Sequence, residues 1–119
     1  MPALILLVDD DVEQLSVLGG MLSNLPCNLE TAMTGSRALE MLSRDVPSIV
    51  ITDMVMPEVS GSEIIHAIRS DPRLESTRVI IVTSLRKYVS EEDNSMADAV
   101  LIKPVKRDEL EHLVREMLG

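Results

Sequence analysis

The amino-acid sequence predicts an α/β fold, with a parallel sheet covered by helices on both faces. Three observations carry this. Four short runs, Ala3 to Val8, Ile49 to Ile51, Val79 to Val82 and Val100 to Ile102, are apolar on both faces, as strands buried inside a parallel sheet are. Stripes at helical spacing lie between them. Strands and helices therefore alternate along the chain, which is the pattern of a parallel sheet with crossover helices.

Each element has its own signal. After the first run, Val12, Leu15, Leu18, Leu22 and Leu25 make a helical stripe, and Asp11 stands where a helix cap is expected. Asn28 to Ala32 alternates polar and apolar residues and reads as an edge strand. Thr34-Gly35-Ser36 opens a second helix carrying Ala38, Leu39 and Leu42. Ile64, Ile65 and Ile68 mark a third, and Leu110, Leu113, Val114, Met117 and Leu118 a closing one. The segment from Thr83 to Asp98 is less regular. A stripe from Leu85 to Val89 is broken at Glu92 before Met96, so the fourth helix is expected to be short or irregular. Right-handed crossovers then leave the doubly wound order 2-1-3-4-5, a flavodoxin-like arrangement, as the expected topology.

Composition bounds the function. The 119 residues suffice for one domain, taken as residues 1–119. The formal charge is 11 − 20 = −9, and Tyr88 is the only aromatic residue. Nucleic acid is a poor partner for such a chain, because phosphates need Lys and Arg and unpaired bases need rings. The core must be aliphatic, with methionine as filler. Cys27 is the only cysteine; it reads as a small apolar residue in a reducing compartment. No basic leader and no membrane-length apolar run is present, so a cytoplasmic protein without membrane contact is expected.

The chemistry gathers at the ends of the predicted strands. The first ends in Asp9-Asp10-Asp11, the third at Thr52-Asp53, the fourth in Thr83-Ser84 and the fifth in Lys103-Pro104. In an open parallel sheet these carboxyl ends share one edge, and ligands bind where the strand order reverses, between the first and third strands. Converging carboxylates repel one another, and a hard cation such as Mg²⁺ relieves this. A neighbouring ammonium and hydroxyl suit an anionic ligand. Together these are the parts phosphoryl transfer requires. Taken singly, each has a plainer explanation: a helix cap, a turn residue, a solvated lysine. Four such residues at four strand ends on one edge do not reduce to that.

The stretches Leu-Leu-Val-Asp-Asp-Asp at 6–11, Ile-Thr-Asp-Met-Val-Met-Pro at 51–57, Ile-Val-Thr-Ser at 81–84 and Leu-Ile-Lys-Pro at 101–104 resemble the receiver domain of bacterial two-component response regulators. The resemblance covers essentially the whole chain. It implies that Asp53 is the phosphoacceptor, taking a phosphoryl group from a sensor histidine kinase or a histidine phosphotransfer protein. It implies that Asp9, Asp10 and Asp53, with the backbone carbonyl of Val55, hold Mg²⁺. Thr83 and Lys103 would bind the phosphoryl group, and the bond to Pro104 is a candidate for the cis form. Such a protein is a switch rather than a metabolic enzyme; it catalyses only its own phosphorylation and dephosphorylation. Its output partner is undefined, and a homodimer is among the arrangements the family allows.

The sequence departs from the family pattern at the switch. Val100 stands three residues before Lys103, where receivers usually carry Tyr or Phe. The fourth-helix segment is shorter than usual. These departures motivate an alternative, a phosphorylation-independent adaptor or a phosphate sink. A phosphohydrolase with an Asp nucleophile is disfavoured, because the second Asp it needs is replaced by Val55. Val55 and Leu85 are expected beside the path of attacking water, while His66 and His112 are expected to be exposed helical residues.

Overall fold

The structure is a computed structural model and describes residues 2–119. The strands are β1 (Ala3–Val8), β2 (Cys27–Ala32), β3 (Ile49–Thr52), β4 (Arg78–Thr83) and β5 (Ala99–Ile102). The helices are α1 (Val12–Leu22), α2 (Gly35–Arg44), α3 (Gly61–Ser70), α4 (Glu91–Met96) and α5 (Arg107–Leu118). All neighbouring strands pair in parallel, in the order β2-β1-β3-β4-β5. This is the predicted doubly wound topology.

The two-residue period of a strand divides the core into two layers. Leu6, Val8, Val50, Val79 and Ile81 point to one face and pack with Ala38, Met41 and Leu42 of α2 and Ile64, Ile65 and Ile68 of α3. Ile5, Leu7, Ile49, Ile51, Ile80 and Val82 point to the other and pack with Leu15, Leu18 and Leu22 of α1 and Leu110 and Val114 of α5. β1, β3 and β4 are central and buried on both faces, which is why their sequences do not alternate. Truncating a fully buried isoleucine in these layers to Ala costs about 2–5 kcal/mol.

Caps set where the helices begin. Asp11, Thr34, Ser60 and Ser90 each accept a backbone N–H from the first turn of α1, α2, α3 and α4, satisfying donors that have no partner within the helix. Asp11 is thus the cap the sequence indicated.

Three details differ from the sequence reading. Val12 belongs to the helical stripe by spacing but is 57% exposed, because it occupies the first position of α1, at the rim of the sheet edge. Leu25 lies beyond α1, yet it is buried where the chain turns back. β2 begins one residue earlier, at Cys27, which is half-buried. The irregular segment before β5 resolves into a 3₁₀ turn over Arg86–Tyr88 and the six-residue α4.

In the loop from β3 to α3, Glu58 has φ 66°. This left-handed conformation costs a residue with a Cβ about 1–2 kcal/mol, part of which glycine gives back as chain entropy. Glu58→Gly should therefore stabilise the fold by about 0.5–1 kcal/mol, read as a higher urea midpoint with an unchanged slope. A lower midpoint would show that the Glu58 side chain contributes more than its backbone costs.

Candidate functional site

The carboxyl ends of β1, β3, β4 and β5 bring the strand-end residues together. Asp9 follows β1 and is almost fully buried, whereas the neighbouring Asp10 is exposed. The Asp9 backbone N–H donates to the Ala32 carbonyl at 3.2 Å, and its Oδ1 accepts the Asp11 N–H at 2.9 Å. Asp53 follows β3, is 9% exposed, and donates its own N–H to the Val8 carbonyl at 3.1 Å. One ligand oxygen each from Asp9, Asp10 and Asp53 can be chosen so that all lie within 4.8 Å of one another.

The Asp53 carboxylate is oriented from both ends. Its Oδ1 accepts the Met54 N–H at 2.7 Å and, more weakly, the Val55 N–H at 3.4 Å. Its Oδ2 accepts from Lys103 Nζ at 3.1 Å. The same ammonium donates to Asp9 Oδ2 at 3.0 Å. The Lys103 backbone N–H donates to the Thr83 carbonyl at 2.8 Å, which sets its side chain at the edge where the acids meet. The Lys103–Pro104 peptide is cis.

Burial raises the pKa of Asp9, an effect only partly offset by the Asp11 N–H and by Lys103. Burial acts on Lys103 in the opposite sense to its partners: it disfavours the ammonium, but hydrogen bonds and charge from Asp9 and Asp53 outweigh it and hold the pKa above the usual lysine value. Lys103 is therefore a fixed positive charge. With three carboxylates ionised and one ammonium, the cluster carries 1 − 3 = −2, the charge a divalent cation neutralises. The donors are all hard oxygens, as Mg²⁺ prefers.

Thr83, the last residue of β4, is fully buried, and among the described residues its Oγ1 has no hydrogen-bond partner. An unsatisfied buried hydroxyl costs about 1–3 kcal/mol, a cost that a ligand oxygen at this position would recover. This observation, with the charge of the acids, fits a metal-assisted site for an anion. Thr83 does not cap the following 3₁₀ turn. Val55 and Leu85 stand near the starts of the loops that leave β3 and β4, with 55% and 45% of their surfaces exposed. Val100 is not part of the cluster; it is half-buried in β5 and packs against the layer shared by α2 and α3.

Sequence reasoning missed what holds Asp53 in place. A Cβ on Gly61 would collide with the Asp53 carbonyl oxygen and with backbone atoms of Asp53 and Met54. The Gly61 N–H donates to the Met54 carbonyl at 3.0 Å, and the Thr52 hydroxyl donates to the Asp53 carbonyl at 2.9 Å. The only sequence signal was a Gly directly after the Ser60 cap, which is uninformative without knowing what packs on it.

The sequence matches the response regulator receiver domain family over residues 5–115. The chain belongs to that family. A 14.6 kDa protein of Leptolyngbya boryana, named only by its size and gene neighbourhood, is 34% identical over 94% of this chain and 87% of its own length. Response regulator Rre1 of Synechocystis is 32% identical over 99% of this receiver, which spans 52% of that protein. Among solved structures, response regulator TrrA of Thermotoga maritima in complex with Mg²⁺ and BeF is 29% identical. The match covers 98% of this chain and 99% of that one, with a TM-score of 0.87. Relatives of this receiver are response regulators of two-component systems, and no helix among the described residues is long and apolar enough to cross a membrane.

Proposed function

We propose that this receiver takes a phosphoryl group onto Asp53 from the phosphohistidine of a sensor kinase or a histidine phosphotransfer protein, in the cytoplasm. The observation that carries the reading is the convergence of Asp9, Asp10 and Asp53 with Lys103, at the sheet edge that also carries the Thr83 hydroxyl, buried and without a partner among the described residues. Mg²⁺ at the acidic cluster, held by Asp9, Asp10, Asp53 and the Val55 carbonyl, would neutralise charge on the phosphoryl oxygens.

This chain's own residues do the rest. An Asp53 carboxylate oxygen is the nucleophile. A P–O bond forms as the P–N bond to the donor imidazole breaks, and the imidazole leaves with the electron pair and takes up a proton. Oδ1 is held by the Met54 N–H. Lys103 is placed to move from the carboxylate of Asp53 to a phosphoryl oxygen without leaving Asp9, and Thr83 to donate its hydroxyl to another. The set serves self-phosphorylation and the later hydrolysis of the acyl phosphate, in which water attacks phosphorus, inorganic phosphate leaves and the Asp53 carboxylate is restored. The role is that of a switch.

Intact-mass measurement with a small-molecule phosphodonor tests the reading. One phosphoryl group per chain should be gained with Mg²⁺ and none with a chelator present. Labelling indifferent to Mg²⁺ would sink it.

Val55 and Leu85 bear on the lifetime of that state. Both are apolar and exposed beside Asp53 and Thr83, so neither can hydrogen-bond a water aligned for attack on phosphorus. Leu85→Glu or Val55→Asn should shorten the phosphorylated half-life by roughly tenfold, on the order of 1.4 kcal/mol of barrier. Half-lives unchanged from wild type would remove this assignment.

A further inference from the structure

The short α4 is tied to α3 by side chains at both of its ends. At its C-terminal end, Arg69 Nε donates to the Met96 carbonyl at 2.9 Å, while its other nitrogens donate to the Thr77 carbonyl at 2.8 Å and Asp98 at 3.1 Å. This is a permanent tie, because the guanidinium stays charged at any working pH. At the N-terminal end, Ser62 Oγ donates to Asp93 Oδ1 at 2.8 Å. His66 Nε2 meets Glu92 Oε1, and His66 Nδ1 meets the Ser62 carbonyl at 2.8 Å. Asp93 Oδ1 lies 3.9 Å from His66 Nδ1, and Asp93 is 4% exposed.

The imidazole thus has an oxygen acceptor on each nitrogen. Neutral histidine carries one N–H and can serve only one of them; the imidazolium serves both. We propose that Ser62, His66, Glu92 and Asp93 form a proton-gated clasp, closed onto α4 when His66 is protonated and opened at Glu92 when it is neutral. The Ser62 carbonyl and Glu92, followed by the charges of Glu92 and Asp93, raise the His66 pKa above the ordinary histidine value.

The other charged groups on or beside α3 leave this pair alone. On α3, Glu63 and Arg69 are the charged neighbours of His66, and Arg69 is committed to the opposite end of α4. From α4, Glu91 shares the first turn with Glu92 and Asp93. From α2 come Arg37 and Glu40, which pair with each other, and Arg44. From the 3₁₀ turn after α3 come Asp71 and Arg73, also paired. Arg86, before α4, bonds Asn94. Among the described residues none of these hydrogen-bonds or ion-pairs with the His66 ring.

The sign follows from linkage. A histidine with a raised folded-state pKa stabilises fully below its unfolded value, about 6.5, and that contribution is lost as pH rises through the folded value. The clasp also lies next to the phosphorylation machinery. Ser62 adjoins Gly61, which packs on the backbone of Asp53. On the proposed phosphoacceptor role of Asp53, α4 would then answer to both phosphoryl group and proton.

An NMR titration of the unphosphorylated protein tests the clasp without relying on that reading. The His66 ring, identified by its loss in His66→Gln, should titrate above the ordinary histidine midpoint. The amides of Asp93 and Asn94 should shift with the same midpoint. His66→Gln should abolish the α4 step, Glu92→Gln should lower the ring midpoint, and Asp53→Asn should leave both unchanged. A ring midpoint at or below the ordinary value, or α4 amides that do not follow the ring, would overturn the proposal.

Discussion

Asp53→Asn should reduce phosphodonor labelling to the level seen without Mg²⁺ while leaving the protein folded. The amide oxygen can still accept the Met54 N–H that now goes to Oδ1, so the loop keeps its shape. What is lost is the proposed anionic nucleophile and one of the three carboxylates that would face a cation. The remaining cluster, Asp9 and Asp10 with Lys103, is left at 1 − 2 = −1, so Mg²⁺ should bind more weakly as well. Unfolding should become no easier, because removing Asp53's charge relieves repulsion on Asp9, whose ionised form burial already disfavours, and leaves Lys103 its bond to Asp9. Intact mass after phosphodonor treatment reads the first effect, and a thermal melt with and without Mg²⁺ reads the others. Equal labelling of mutant and wild type would move the acceptor elsewhere; an unlabelled wild type would favour an adaptor that works without phosphate.

Of the glycine-to-alanine changes, Gly61→Ala should have the largest effect, since its Cβ would lie 2.1 Å from a backbone oxygen against 2.5 Å at Gly35. The new Cβ would have no flexible side chain to push aside, since its nearest neighbours are backbone atoms of Asp53 and Met54. Either α3 withdraws from the sheet edge or the peptide after Asp53 turns. Overpacking of this kind costs about 1–3 kcal/mol. For a protein of this size that is a fall in urea midpoint of roughly 1–2 M at unchanged slope. The labelling rate should fall as well, because the turned peptide carries the Met54 N–H that orients the Asp53 carboxylate. Wild-type stability and labelling together would mean that α3 can slide without cost and that Gly61 does not position the acceptor.

How much of this was legible beforehand depended on the range of the interaction. Strands declared themselves because β1, β3 and β4 are buried on both faces and so carry unbroken aliphatic runs. The strand order followed from their alternation with helices, and the site followed from strand order, because parallel strands deliver their last residues to one edge. The site residues were legible as a set for the same reason, although each is ordinary alone. Contacts between helices left no such trace. His66 is exposed on its helix, as expected, but it and Glu92 lie 26 residues apart on different helices, and no periodicity relates them. Lys103 was expected to face phosphate, and its bridge between Asp9 and Asp53 emerged only with the side chains in place. Exposure at Val12 was missed because helical spacing assigns a face but not the point where the sheet ends.

The absence of large rings has a practical corollary. Tyr88 is the only aromatic residue, sits in the 3₁₀ turn two residues before the Ser90 cap of α4, is 42% exposed, and has the Lys87 ammonium 5.8 Å above its ring. Every photon of this chain's intrinsic fluorescence therefore originates at one address, next to the helix that the proposed clasp would hold or release. Tyrosine emission, usually swamped by tryptophan, becomes in this receiver a label-free gauge of α4 that needs no engineered probe.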